Sequence, residues 1–166
     1  MPASMVHKIE YLAPGILRPA ARNPRTHSAK QLKQIAASIS RFGFTSPILI
    51  SDDLTVVAGH GRLLASQKLG LAEVPCIRLS HLSAEERRAY LIAENRLAEQ
   101  AGWNKAELAL ELKDLGDLGF DFEAIGFDLP EVDIIIQSAE ASSPEACENQ
   151  DDVPPPTGCL ESRLPT

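Results

Sequence analysis

Residues 57–65 read VAGHGRLLA, and this stretch decides the fold. An apolar run ends at two glycines that flank a histidine, and apolar residues at helical spacing resume after Arg62 and continue to Gly70. The pattern predicts a buried strand, a tight turn and a helix. Such a turn points unpaired backbone N–H groups at whatever lies in front of the helix, and the helix dipole favours an anion there. Residues 59–62 are therefore a predicted phosphate cradle, to which the Arg62 guanidinium adds a fork of donors.

Predicted strands and helices alternate on both sides of the cradle. Capping-box patterns at Ser28 with Gln31 and at Ser83 with Glu86 mark two helix starts. We expect an α/β fold, a small mixed sheet with flanking helices, followed by a C-terminal helical extension. The strands are predicted at residues 8–12, 47–51, 55–58 and 74–79, and the helices at 28–42, 63–69, 83–100, from 104 onwards and around 132–136.

Charge is distributed unevenly along the chain, whose formal net charge is −7. Residues 1–100 carry 13 Lys and Arg against 8 Asp and Glu, whereas residues 101–137 carry 2 against 9. No acidic residue lies between Tyr11 and Ser51. A basic stripe of this kind is typical of a polyanion-binding face, and a solvated helix face is the alternative. The residues predicted to contact DNA are Arg18, Arg22, Arg25, Lys30, Lys33 and Arg41.

Composition divides the chain into three parts: a domain at 1–100, an acidic helical extension at 101–137, and a disordered tail or truncated linker at 138–166. There is no apolar run long enough for a membrane span and no signal-peptide pattern, so we expect a cytoplasmic protein. The three cysteines lack the spacing of a disulfide framework or a zinc site.

Three blocks of sequence carry a resemblance to the ParB/sulfiredoxin superfamily. They are NPRTH at 23–27 with the helix end SISRFG at 38–43, GHGR at 59–62, and AENR at 93–96. Their order and spacing agree with that superfamily over roughly residues 8–100, which makes the match more specific than a lone glycine-rich loop. The resemblance implies a ParB/sulfiredoxin-like fold for this part of the chain.

The resemblance also implies a site. In the CTP-dependent members the loop equivalent to residues 59–62 holds nucleotide phosphates, so the expected cofactor is Mg²⁺ with a nucleoside triphosphate, CTP or ATP. Glu94 and Asn95 would be oxygen ligands of Mg²⁺. The residues that would contact phosphate or nucleotide are Gly59, His60, Gly61, Arg62, Arg25, His27 and Arg96.

A narrower likeness links the chain to ParB-like modules of phage and prophage proteins. NRLAE at 95–99, GWN at 102–104 and GFD at 126–128 resemble modules that often precede a DNA methyltransferase domain. A methyltransferase domain or subunit is therefore a candidate partner beside DNA, and a homodimer remains open. No helix-turn-helix pattern is evident after residue 100.

Two functions follow from the resemblance. The first is a DNA-associated module that binds nucleotide or DNA phosphate, with a partition-like or methyltransferase-associated regulatory role. The alternative is a Mg²⁺-dependent enzyme at the same site, a nuclease, nucleotide hydrolase or ParB-like kinase, with Glu94 and His60 as catalytic candidates. His60 stands where sulfiredoxins have their catalytic cysteine, which argues against thiol chemistry.

Overall fold

A four-stranded mixed sheet forms the centre of the computed structural model, which describes residues 7–142. Its strands are β1 (Ile9–Leu12), β2 (Ile48–Ile50), β3 (Val56–Ala58) and β4 (Val74–Arg78). The strand order is β1-β4-β2-β3, with β4 parallel to β2 and the outer pairs antiparallel. The predicted small mixed sheet is thus confirmed.

Five helices and two short 3-10 helices complete the described part. Ser28 caps the first helix by accepting a hydrogen bond from the Gln31 backbone, and Ser83 forms a full capping box with Glu86. The α-helices are α1 (Ala29–Phe42), α2 (His60–Lys68), α3 (Ala84–Gln100), α4 (Lys105–Asp117) and α5 (Leu129–Ala141), and the 3-10 helices are Pro14–Ile16 and Phe122–Ile125.

The apolar core lies between the sheet and α2. Ile48, Ile50, Val74 and Cys76 are fully buried, and Leu63 of α2 packs against them. Complete burial of Leu63 fixes how α2 lies on the sheet, since each buried aliphatic side chain contributes roughly 1.5–3 kcal/mol of hydrophobic stabilisation. The first turn of α2 is therefore placed by the core.

A helical hairpin follows the sheet domain. It comprises α4, the 3-10 helix Phe122–Ile125 and α5, and its buried apolar residues are Ala109, Leu112, Ala124 and Val132. We call residues 104–141 the acidic hairpin. No helix among residues 7–142 is long and apolar enough to cross a membrane.

Two predicted boundaries differ from the observed elements. The helix after the cradle begins at His60 rather than after Arg62, because the sharp turn needs only Gly59. The helix predicted around 132–136 extends from Leu129 to Ala141, so the predicted tail boundary at 138 falls inside α5. The rest of that tail, from 143 to 166, lies outside the described residues.

Candidate functional site

The first turn of α2 presents backbone N–H groups that have no acceptor within the helix. Gly59 caps it with a φ of 98°, in the left-handed region that favours glycine. The first backbone bond of the helix runs from the Leu63 amide to the Gly59 carbonyl at 2.9 Å, so the amides of His60, Gly61 and Arg62 precede it. Three N–H groups at the positive end of the helix dipole suit an anion.

A cavity of about 340 Å³ lies in front of this turn. Its walls come from the segments before and after α1, from α1 itself, from the first turn of α2, and from the middle of α3. The residues around it include Asn23, Arg25, His27, Gln31, Ile35, Ser38, Thr45, Ser46, Gly59, His60, Gly61, Arg62, Leu91, Glu94 and Asn95. The GHGR block and the AENR block of the sequence thus border one cavity.

Arg62 places a largely desolvated positive charge at this cavity. Its side chain folds back over Gly59, where the Nη2 atom would lie 3.0 Å from a Cβ added to that glycine. Its Nε atom is buried without a hydrogen-bond partner among the described residues. Burial lowers the pKa of Arg62, while the charge of Glu94 acts in the opposite direction. A desolvated guanidinium with an unused donor is an arrangement that an anion would stabilise.

His60 forms a hydrogen bond with the segment that precedes α1. Its side chain is 8% exposed, and its Nε2 atom accepts a hydrogen bond from the Ala20 backbone N–H at 3.2 Å. An accepting Nε2 requires the neutral ring with the proton on Nδ1. Burial, and to a lesser degree the charge of His27, lowers the pKa of His60. This geometry gives His60 a structural bond in addition to its place in the cavity wall.

His27 packs directly on α2. Its Cε1 atom would lie 2.9 Å from a Cβ added to Gly61, so that glycine admits the imidazole. The Nδ1 atom lies 2.9 Å from Oε1 of Gln31. The Gln31 side chain therefore contacts His27 and not the backbone of Ser28. Of the capping box predicted for Ser28, only the bond from the Gln31 backbone N–H to the Ser28 side chain is formed.

The residues predicted as metal ligands differ in their surroundings. Asn95 Oδ1 accepts a hydrogen bond from Arg25 Nη1 at 2.8 Å, and Asn95 Nδ2 donates to the Leu91 carbonyl at 2.7 Å. A guanidinium on the amide oxygen disfavours a cation there, so Asn95 does not fit as a Mg²⁺ ligand in this arrangement. Glu94 faces the cavity and forms no ion pair within residues 7–142, so its carboxylate does fit. Within the same residues no three His, Cys, Asp or Glu side chains form a metal-binding group.

Arg96 lies apart from the phosphate cradle. It borders an adjoining cavity of about 580 Å³, together with Ile92 and Glu99, and its Nη1 atom is 3.4 Å from Glu99 Oε2. Arg25 borders both cavities. A ligand in the cradle would therefore reach Arg25 before Arg96.

The predicted DNA-binding residues separate into groups. Arg18 and Arg22 are exposed in the segment before α1. Arg25 is bonded to Asn95, as described above. Lys30, Lys33 and Arg41 lie on α1 and contact the acidic hairpin: Lys30 pairs with Asp128, Lys33 Nζ lies 2.7 Å from Glu123 Oε1, and Arg41 lies 4.8 Å from the ring centre of Phe120.

Some polar residues of the cavity have no counterpart among the predicted site residues. Thr45 and Ser46 follow the helix-ending Gly43, and Gln31 and Ser38 lie on α1. One sequence pattern could have indicated them: Gln31 and Ser38 lie at helical spacing from Ile35 and interrupt the apolar face of α1.

Two family models match the chain. One, described as the ParB N-terminal domain, matches residues 3–96, and another, described as the ParB-methyltransferase HTH domain, matches residues 106–164. The second match corrects the expectation that no helix-turn-helix sequence follows residue 100. The pattern was missed because the segment is acidic, whereas DNA-reading helices are expected to carry Lys and Arg.

Similar proteins were found by sequence and by structure. The ParB-like nuclease domain-containing protein YnaK of Escherichia coli is 43% identical over 81 residues, which is 49% of this chain and 93% of YnaK. The probable chromosome 2-partitioning protein ParB of Deinococcus radiodurans is 33% identical over 96 residues, and only 32% of its length is covered. C-terminally truncated ParB from Caulobacter crescentus, complexed with CTP-γ-S, superposes with a TM-score of 0.65 at 26% identity, covering 78% of this chain and 77% of that one.

Proposed function

The chain belongs to the family of ParB N-terminal domains, and from this premise we propose that it is a DNA-associated module that binds the phosphates of a nucleoside triphosphate at the first turn of α2. The observation that carries the proposal is the buried, unpaired Arg62 Nε beside three backbone N–H groups. The CTP-γ-S complex of the similar Caulobacter protein supports a nucleotide as the ligand.

Each group in the cavity has a role in this proposal. The amides of His60, Gly61 and Arg62 bind phosphate oxygens, and the Arg62 guanidinium neutralises their charge. Arg25, which borders the same cavity, supplies a second cation. Glu94 would hold Mg²⁺, since Mg²⁺ in phosphate sites uses few protein carboxylates. The Mg²⁺ would neutralise phosphate charge beside that carboxylate.

Calorimetric titration with CTP, ATP and GTP in the presence of Mg²⁺ tests the proposal. We expect Arg62→Ala to weaken binding about tenfold or more, because a charged hydrogen bond contributes roughly 1.5–3 kcal/mol. Arg88→Ala, which removes an equal charge from an exposed site on α3, should leave binding unchanged. Failure of the wild-type protein to bind any of the three nucleotides would reject the nucleotide role.

Thermal unfolding of the same variants separates loss of binding from loss of folding. Arg62 is a desolvated charge without a full set of partners, so its removal should not destabilise the protein without ligand. We therefore expect Arg62→Ala to keep or raise the melting temperature while it weakens binding. A large fall in melting temperature would assign Arg62 to structure instead.

The unpaired Glu94 carboxylate favours a second candidate, Mg²⁺-dependent hydrolysis or phosphoryl transfer at the same cavity. Phosphate release from nucleotide and cleavage of DNA would be measured for the wild-type protein and for Glu94→Gln. We expect the variant to lose any such activity. Full activity in Glu94→Gln would exclude Glu94 as the essential acid, base or metal ligand, and no activity in the wild-type protein leaves the binding module.

A further inference from the structure

Two faces of helix α1 make different contacts. Gln31, Ile35, Ser38 and Ile39 border the cavity, whereas the basic face of α1, defined by Lys30, Lys33 and Arg41, contacts the acidic hairpin. The helical period of 3.6 residues separates the two sets. The second face has no part in the proposed nucleotide site.

Five side-chain contacts join α1 to the hairpin, three of them made by the basic face. Lys30 pairs with Asp128 and Lys33 with Glu123, and these bonds raise the pKa of each lysine. The Gln34 side chain donates to the Gly126 carbonyl at 3.1 Å. Phe120 stacks on Phe42 with ring centres 6.0 Å apart and also receives Arg41 over its face.

The charge of the hairpin complements α1 and not DNA. Helix α5 has the sequence LPEVDIIIQSAEA, without a single Lys or Arg, although it lies in the segment that matches a helix-turn-helix model. Helices that contact DNA place Lys and Arg against the phosphates. The cations of the basic stripe lie on α1 and in the segment before it, and the hairpin contacts three of those on α1.

We infer that the acidic hairpin is an internal competitor for duplex DNA: it occupies the basic face of α1, and DNA and hairpin bind this face in a mutually exclusive way. The ion pairs are solvent-exposed, so each contributes little and is screened by salt, which makes the contact reversible. The inference rests on the DNA association in the proposed function but is independent of the nucleotide site at α2.

Binding of a short fluorescent duplex, measured by anisotropy at low and physiological salt, tests the inference. The double variant Glu123→Gln with Asp128→Asn removes both hairpin partners of the lysines. The control, Glu111→Gln with Asp133→Asn, makes the same charge change at exposed hairpin positions without an ion pair to α1. We expect the first to bind DNA roughly fivefold more tightly than the control, the size that two exposed ion pairs permit. Equal affinities would overturn the inference.

A substitution that changes no charge provides a second test of the competition. Phe120→Ala removes the aromatic contact to α1 and should also tighten DNA binding, whereas Leu118→Ala, at a residue 80% exposed, should not. In the Glu123→Gln, Asp128→Asn background, Lys30→Ala with Lys33→Ala should abolish the gain. Retention of that gain, or absence of DNA binding in every variant, would reject the competition. Nucleotide binding should be unchanged in these variants, so the failure of one proposal does not imply failure of the other.

Discussion

His60 combines two properties at the residue scale: a ring nitrogen that must stay unprotonated and a position inside the wall of the cavity. A neutral acceptor there fixes the segment around Ala20 against the start of α2. This bond explains a buried histidine without assigning it catalysis. The catalytic role considered from the sequence remains a prediction that only activity measurements can test.

The lowered pKa of His60 predicts how stability depends on pH. Because the folded state resists protonation, the unfolded chain binds the extra proton below the ordinary pKa of 6.5. The contribution is therefore complete above pH 6.5 and decreases as the pH falls through the lowered pKa. Denaturant unfolding between about pH 7 and pH 5 should show a slope that His60→Gln reduces and the exposed-site control His81→Gln does not. An unchanged slope in His60→Gln would contradict the assignment.

Two glycines at the start of α2 have different functions at the element scale. Gly59 adopts a φ of 98°, so Gly59→Ala should cost about 1–2 kcal/mol of the free energy of unfolding from backbone strain alone. Gly61 lies within the helix, where alanine is favoured, but its added Cβ would displace the His27 ring.

We therefore predict opposite outcomes for the two alanine variants. Gly59→Ala should lose stability, whereas Gly61→Ala should keep most of its stability but bind nucleotide more weakly, because His27 and the cavity wall move. Urea unfolding and calorimetric titration of both variants provide the measurement. Normal binding in Gly61→Ala would show that the His27 position does not matter to the ligand.

The elements of the sheet domain were predictable because local signals decide them. Periodicity located all four strands, and Ser28, Gly43 and Ser83 fixed helix ends within a residue or two. Side-chain partners were less predictable: Arg25 on Asn95 depends on how two elements distant in sequence meet. The sequence therefore indicated that the GHGR and AENR blocks border one site, but not which of their side chains are already paired.

At the scale of the whole molecule, the uneven charge has a structural counterpart. The acidic segment and the basic stripe, read from the sequence as separate features, contact each other through α1. A single sequence could not show this contact, because opposite net charges on two segments do not indicate which of their residues pair. Within residues 7–142, a sheet domain with a buried core contacts the hairpin through exposed ion pairs, one hydrogen bond and an aromatic stack.

This construction predicts unequal local stability. The hairpin has a small apolar core of its own, so it should unfold once it leaves α1, at a lower cost than global unfolding. Amide hydrogen exchange should therefore be faster in α4 and α5 than in β2 and β4. Added salt should widen the difference by screening the Lys30 and Lys33 ion pairs, with α2 as the internal reference. Equal exchange rates for hairpin and sheet at both salt concentrations would mean that the two unfold together, because the contact with α1 would then be as strong as the core.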